Sequence, residues 1–579
     1  MSAIAVLPDI LINKIAAGEV IERPASVVRE LIDNAVDARS TQIDIEILHG
    51  GKKLIKVSDN GNGMIRDDAL LCFERHATSK IASEDDLFDI STLGFRGEAL
   101  PAIASVSKIT LITAPADANA GTRVEIGTNN KRDASDAPPL AGTIVEVRDI
   151  FYNTPGRRKF LKTNPTEFSH IIETVTQKAL AYPEVGFSLR HNNSETLNVS
   201  SASSLKERFH QLYGEEYTKE FLELQSAGKI ISITGFCSKP DVTRGSKSHQ
   251  YIFVNRRPVK NPTINHGVYS AYRNIIPKDR HPAYFLFLEV APQVVDVNVH
   301  PAKREVKFER PNDIHMAVEA AVFEALNPGY KKDALSHLSA SEKKEGTTPV
   351  FEYSQHERIP DSSFISESLS AMPQATQSDF FAAGMTSDVS EFFRIGEAFL
   401  ARVTDRGLLL IDQHAAHERI LFEKFLRKTS ILPDPLFLPL RIELPPREYA
   451  LIIQHKEVLH SLGLDIEDFG GNNIIIRALP KELRKADAKG LLLDIASDIL
   501  EQETNGITAD LTEQSLVEKI AARLACHKSV RGREPLNNAE ITQMMSDLEK
   551  TDAPERCPHG RPTKILLTLD ELQKMFRRK

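Results

Sequence analysis

Glu30 and Asn34 stand four residues apart in PASVVRELIDNAVDA, and Asp59 ends the run KKLIKVSD just before Asn60, Gly61 and Gly63. Residues at i and i+4 share a helix face, so Glu30 and Asn34 would project together, away from the apolar stripe of Val27, Val28, Leu31, Ile32 and Ala35. A carboxylate and an amide so placed can orient water and hold Mg²⁺ beside a triphosphate, the division of labour that phosphoryl transfer requires. A solvated polar helix face would carry the same two residues. Asp59 shares a strand face with Ile55 and Val57 at period two. A carboxylate buried there needs a donor. The exocyclic amine of a base would serve, with Gly61 and Gly63 letting backbone approach it closely; a glycine-rich hairpin with a turn aspartate is the plainer alternative.

Downstream lie RHATSK, residues 75–80, and TLGFRGEAL, residues 92–100. Gly94 and Gly97 flank Phe95 and Arg96 ahead of a helix-like start, a shape that can aim backbone N–H groups at phosphate oxygens. The chain has no G-x-x-x-x-G-K-[ST] and no complete G-x-G-x-x-G, so a nucleotide site here is neither Walker nor Rossmann.

A second set sits far along the chain. GLLLIDQHAAHERILFEKF, residues 407–425, reads as a buried strand ending at Asp412 and running into a helix, with His414 and Glu418 one turn apart. The order differs from the zinc-protease H-E-x-x-H. ACHKSVRG carries Cys526, and CPHGRP carries Cys557 and His559, held between Pro558 and Gly560. Thiolate and imidazole together form a borderline-soft set suited to Zn²⁺ or Mn²⁺. A structural zinc site without chemistry is the alternative.

These residues need rigid elements around them, and 579 residues supply enough chain for roughly four domains of about 150 residues. Mixed helices and alternating strands such as TQIDIEIL and TIVEVRDI run to about residue 330, with a change near 205 where YIFVNRRPVK and YFLFLEVAPQVVDVNVHP read as sheet. The reading is α/β (α+β), with domains at 1–204 and 205–331, a disordered linker at 332–392 and a C-terminal domain at 393–579. Four scattered cysteines argue against a disulfide framework. The opening MSAIAVLPDILINK lacks a signal-peptide pattern and no run reads as a membrane span, so the chain is expected in the cytoplasm.

ELIDNAVDA, DNGNGM, GFRGEAL and GTIVEV, in that order, resemble the four motifs of the ATPase family shared by gyrase B, Hsp90, sensor kinases and MutL. IAAGEVIERPASVV, FERHATSKI, FYNTPGRRKFL and VDVNVHPAKREVKF resemble the MutL mismatch-repair family more closely than the others, over most of residues 1–330. The resemblance implies an N-terminal GHKL-type ATPase sandwich, a ribosomal-S5-like transducer domain, and a C-terminal domain for dimerisation and nuclease activity. It implies Glu30 as general base, Asn34 as Mg²⁺ ligand, Asp59 as adenine reader, and ATP-binding roles for Gly63, Thr78, Ser79, Lys80, Gly94, Phe95, Arg96 and Gly97, with residues 78–97 as a lid. Lys303, in HPAKRE, would reach the γ-phosphate from the second domain, so that ATP favours one interdomain arrangement and hydrolysis releases it.

DQHAAHERILFE resembles the endonuclease signature of that family, with Glu423 as its last member. The resemblance implies that Asp412, His414, Glu418, Cys526, Cys557 and His559 surround one or two ions, Mn²⁺ and/or Zn²⁺, with Asp412 and Glu418 catalytic; His527 stands where the family more often has a basic residue. The chemistry would be metal-assisted phosphodiester hydrolysis. It further implies a bacterial, nucleoid-associated homodimer working with a MutS-like mismatch-recognition protein. QSDFF, residues 377–381, resembles peptides that dock on replication sliding clamps.

For DNA, the net charge of -8 argues against a chain coated in basic surface. A local patch is expected nonetheless, because Arg256, Arg257, Lys260, Arg273, Lys278, Arg280, Lys303, Arg304, Lys307 and Arg310 outnumber the nearby acids. Two other readings compete with an ATP-gated nuclease: an ATP-switched scaffold with a structural metal, and a chaperone or topoisomerase sharing the ATPase core. The last is disfavoured because no topoisomerase-type catalytic domain is visible.

Overall fold

Period-two apolar stretches of the first 200 residues assemble into one eight-stranded sheet. In this computed structural model, residues 21–80, 92–94, 97–127, 132–228, 231–277, 280–291, 294–296, 306–328, 392–396, 398–427, 433–484, 486–505, 513–529 and 536–577 are described. The strands are β1 (Gln42–Leu48), β2 (Leu54–Asp59), β3 (Lys108–Ala114), β4 (Gly121–Ile126), β5 (Arg132–Ala137), β6 (Gly142–Arg148), β7 (Gly186–His191) and β8 (Ser194–Val199). Their order is β5-β4-β3-β6-β2-β1-β7-β8, antiparallel throughout except for the β1–β7 pair. Ile43, Ile45 and Ile47 of β1 and Ile55 and Val57 of β2 are buried. The register sets Asp59 opposite Ile43 on one side and Thr143 on the other.

The helix Pro24–Asp37 packs on β2 and on the helix Asn164–Ala181. It starts as predicted, with proline in its first turn after an extended Arg23, where a missing N–H costs nothing. Val27, Val28, Leu31, Ile32 and Ala35 are all buried, each large side chain contributing about 1.5–3 kcal/mol. This burial fixes the helix's rotation and leaves Glu30 and Asn34 only partly covered.

A second sheet has the order β12-β11-β13-β10-β9, from β9 (Phe221–Ala227), β10 (Ile231–Ser238), β11 (Gln250–Val254), β12 (Arg257–Pro258) and β13 (Tyr284–Val290). The helices Pro262–Ala271 and Pro311–Leu326 pack on each other, and Ile264, Val268, Val318 and Val322 join Ile233, Ile252, Leu286 and Leu288 in one core. β14 (Val295–Asp296) and β15 (Lys307–Phe308) form a two-stranded pair, and farther on β19 (Pro433–Glu443), β20 (Asp465–Gly470) and β21 (Asn473–Pro480) form a three-stranded sheet followed by the helices Ala488–Asn505 and Glu513–Ser529.

Contacts divide the chain into two compact units, residues 1–335 with 417–532, and residues 336–416 with 533–579. The second unit is built on a four-stranded sheet, β16-β17-β18-β22, from β16 (Phe393–Ile395), β17 (Phe399–Thr404), β18 (Gly407–Asp412) and β22 (Lys564–Thr568). The strand predicted to be buried, β18, is buried only at Gly407 and Ile411. Its sheet carries exposed Phe393, Ile395, Phe399, Val403 and Ile565, so an apolar run did not guarantee burial within this chain. Among the described residues no helix is long and apolar enough to cross a membrane. Of the predicted linker 332–392 only residue 392 is described, and QSDFF lies outside the described residues.

Candidate nucleotide site and candidate metal centre

One cavity of about 1680 Å³ gathers most of the N-terminal candidates: Glu30, Asn34, Asp59, Gly63, Thr78, Ser79, Lys80, Gly94 and Gly97 all line it. Val57, Met64, Leu111 and Val145 give it apolar walls around the Asp59 end, the mixture of apolar surface and few aimed polar groups typical of a small-ligand site. Asp59 sits at the end of β2, as its spacing predicted. Its Oδ1 accepts from the Gly61 N–H at 2.9 Å and the Ser40 hydroxyl at 3.1 Å. Burial pushes its carboxyl above the ordinary range, against the lowering effect of bonds from Gly61, Ser40 and Thr143.

At the other end of the cavity Glu30 accepts from Arg29 at 3.2 Å, and Asn34 Oδ1 accepts from Lys80 Nζ at 3.1 Å. An amide oxygen already holding a cation is chemically suited to Mg²⁺. Gly94 leaves open the space beside Lys80 Nζ and Asn34 Oδ1, which a Cβ would approach to 3.4 and 3.9 Å. Gly63 has another reason for being glycine: its φ is +66°, and a Cβ there would lie 1.9 Å from the Ala114 carbonyl oxygen. Its small size is thus required by the protein's own backbone, where the sequence had pointed to the ligand. Phe95, Arg96 and Lys303 lie outside the described residues.

Three residues at or behind the wall of this cavity do not stand out in the sequence as site residues: Thr143 and Asp37 line it, and Ser40 supports Asp59 from behind. Thr143 sits in the GTIVEV motif and bonds Asp59 through its backbone, and the Ser40 hydroxyl, 2.6 Å from Ala35 O and 3.1 Å from Asp59 Oδ1, shares its one proton between the two. Asp37 accepts from Leu93 N, Gly94 N and Lys80 Nζ. Helical spacing carried a signal for Asp37, since 30, 34 and 37 follow one face.

The predicted basic patch is partly committed to the protein's own acceptors. Arg256 pairs with Glu184 at 2.5 Å, Arg257 donates to Thr92 O at 2.8 Å, and Arg280 donates to Thr243 O at 2.8 Å and pairs with Asp494 at 3.3 Å. Arg256 stays exposed despite its pair, as are Lys260, Arg273, Lys307 and Arg310, whereas Lys278, Lys303 and Arg304 lie outside the described residues.

In the C-terminal set, Asp412 stands at the predicted junction where β18 meets the helix Gln413–Leu426. Its Oδ1 accepts from the backbone N–H groups of His414 and Ala415 at 2.9 and 3.0 Å, so it caps that helix, a role its spacing did not announce. Its own N–H donates to Thr563 O at 2.9 Å, which brings Asp412 alongside the CPHGRP segment. That segment is a tight turn: Gly560 N donates to Cys557 O and Cys557 N to Arg561 O. Cys557 is buried and His559 exposed. Glu418, one turn beyond His414, is buried and interacts with the Cys526 thiol, which burial and the Glu418 carboxylate push up to about 11. Glu423, also buried, pairs with Arg419 and Arg427. His527 lies on the helix Glu513–Ser529. All four cysteines are free thiols.

Comparison with known proteins places these sites in context. Three family descriptions match: "Histidine kinase-, DNA gyrase B-, and HSP90-like ATPase" over residues 21–151, "DNA mismatch repair protein, C-terminal domain" over 209–327, and "MutL C terminal dimerisation domain" over 394–536. A DNA mismatch repair protein MutL from Thermodesulfovibrio yellowstonii is 41% identical over 580 residues, covering 100% of both chains. The chain belongs to the MutL family of DNA mismatch repair proteins. A second MutL, from Geotalea uraniireducens, is 37% identical with 99% of each chain covered. The solved "Aquifex aeolicus MutL ATPase domain complexed with ADP" is 31% identical, covering 47% of this chain and 94% of that one, at a TM-score of 0.36. MutL membership accounts for the pairing of an ATPase domain with a C-terminal dimerisation domain, and excludes the chaperone and topoisomerase reading.

Proposed function

We propose that this MutL chain acts as an ATP-gated dimeric clamp on DNA that nicks the strand by metal-assisted phosphodiester hydrolysis. The observation that carries the ATP part is the single cavity joining Glu30, Asn34, Asp59 and the residues from Thr78 to Gly97 that are described. Asp59 and Thr143 would read the adenine end, Asn34 would hold Mg²⁺, and Glu30 would take the proton of the attacking water. The lid assignment of residues 78–97 and the reach of Lys303 to the γ-phosphate complete this reading.

The nicking part is supported by Asp412 at a strand end beside the CPHGRP turn, and by the buried Glu418 next to the Cys526 thiol. Asp412, His414, Glu418, Cys526, Cys557 and His559 would hold the metal, a donor set that fits Mn²⁺ or Zn²⁺ better than Mg²⁺ because it is rich in sulfur and nitrogen. When bound, the ion would make water nucleophilic near neutral pH and offset charge on the phosphate. The exposed apolar side chains on β16, β17 and β22 are the surface we assign to the second copy. Lys260, Arg273, Lys307 and Arg310 would meet DNA phosphates without reading sequence. A MutS-like partner, a sliding clamp taken by QSDFF and association with the nucleoid belong to the same reading.

A second reading is favoured by the capping bonds of Asp412: an ATP-switched scaffold with a structural metal and no nuclease. Relaxation of supercoiled plasmid with Mn²⁺, Mg²⁺ or Zn²⁺, with and without ATP, separates the two. Nicking is expected with Mn²⁺ and is expected to change with ATP; intact plasmid under every condition leaves the scaffold.

A further inference from the structure

We propose that Asp37 is an internal substitute for the ligand's phosphate, a carboxylate that holds the anion-binding groups of Lys80, Leu93 and Gly94 until a nucleotide displaces it. The proposal rests on the reading of the cavity as an ATP site. Asp37 is the last residue of the helix Pro24–Asp37, three positions after Asn34, and its side chain is only 8% exposed. Oδ1 accepts from the Leu93 N–H at 3.0 Å; Oδ2 accepts from the Gly94 N–H at 3.2 Å and from Lys80 Nζ at 2.5 Å. Two consecutive backbone N–H groups beside an ammonium make an anion-binding concavity. Leu93 and Gly94 belong to TLGFRG, whose glycines can aim backbone N–H groups at phosphate oxygens.

The cation of this pair is as informative as the anion. Lys80 Nζ also touches Asn34 Oδ1 at 3.1 Å, the oxygen assigned to Mg²⁺. The cavity therefore contains a carboxylate on the N–H groups and a cation on the amide oxygen, the charge arrangement of a phosphate with its metal. Charge-assisted bonds of this kind are short and about twice as strong as neutral ones. A buried donor left without a partner is costly. Exchange of one anion for another keeps Leu93 N–H, Gly94 N–H and Lys80 satisfied throughout, so these three donors never pass through an unpaired state. Arg257 anchors the same segment from the second sheet by donating to Thr92 O at 2.8 Å, so release of Asp37 would be felt there. Asp37 is a positioning residue that competes for the lid's donors; it takes no part in bond cleavage.

Competition has a signature that a static structural role lacks. Asp37→Asn keeps the size and removes the charge, so ligands bearing phosphates should bind more tightly, by about tenfold, the scale of one lost charge-assisted competitor. Adenosine, which lacks phosphate, should bind unchanged. Binding of ADP and of a nonhydrolysable ATP analogue would be measured by calorimetry on the full chain, and adenosine by ligand-detected NMR. Amide exchange of Leu93 and Gly94 should accelerate in the nucleotide-free variant and slow again with ADP. Phosphate ligands that bind the variant equally or more weakly, with adenosine unchanged, would overturn the proposal and make Asp37 a fixed lid anchor. Adenosine that fails to bind the wild type would overturn the underlying site reading as well. Should Asp37→Asn not fold, Asp37→Ser carries the same expectation.

Discussion

The N-terminal cavity and the C-terminal Asp, His and Cys set hold charge by opposite means. Around the nucleotide site, carboxylates and amides meet backbone N–H groups and a lysine at the rim of an eight-stranded sheet, so the polar groups belong to a continuous cavity with apolar walls. In the C-terminal set, Asp412 caps a helix and Glu418 lies against a thiol, and burial together with that carboxylate raises Cys526 rather than lowering it. A thiol so raised is a poor free nucleophile and becomes a thiolate ligand only when a cation supplies the missing charge. On the proposed reading, the first region would receive an anion with its metal, and the second would gain from a cation itself.

The comparison breaks most sharply at the two carboxylates proposed to act in catalysis. Glu30→Ala should still bind ATP while turnover falls by about 10²- to 10⁴-fold, the usual weight of a general base. Calorimetric ATP binding together with phosphate release checks this, and near-normal turnover would remove Glu30 from that role. At the other end, Asp412→Asn keeps a side chain able to cap the helix but loses a ligand charge. Plasmid nicking should fall by at least about tenfold, on the order seen when even a supporting group of a metal site is lost. ATP turnover and thermal stability should stay close to wild type. Unchanged nicking would make Asp412 a cap alone.

A smaller effect sharpens the adenine end. Asp59→Asn should weaken adenine nucleotides by about tenfold, roughly one charged hydrogen bond. In the wild type the raised carboxyl gives a pH signature. Because the folded-state value lies above the unfolded one, this group stabilises the fold at low pH and loses that contribution as pH rises through its folded value. Ligand binding runs the other way, since the ionised form is the better acceptor. Affinity for ADP should therefore fall as pH drops through the raised Asp59 value, at a higher pH than an ordinary carboxylate would give. A flat ADP-binding profile in the variant confirms the assignment, and an identical profile in both proteins refutes it.

The helix Pro24–Asp37 was legible to its first residue because proline and a strict apolar stripe leave one rotation open to it. The strand leading to Asp59 was legible for the same reason at period two. Less accessible were Ser40 and Thr143, which reach Asp59 only after the helix turns back into β1 and β6 pairs with β2. The incomplete burial of β18 could not be foreseen, because an apolar run looks the same whether its cover belongs to its own chain or to another. The basic residues of the second domain were counted correctly as charges. Their commitment to Glu184, Thr92 and Asp494 depended on segments distant in sequence.

The amino-acid order by itself determined the local elements, the placing of Glu30 and Asn34 one turn apart, and the residue types able to bind a nucleotide or a metal. Those follow from backbone periodicity and side-chain chemistry, which act over a few residues. Only the tertiary structure decided that Asp37 faces Leu93, Gly94 and Lys80, and that Asp412 meets Thr563. Such pairings join groups tens to more than a hundred positions apart, and they exist because packing of apolar faces, indifferent to chemistry, carries the polar groups to one another.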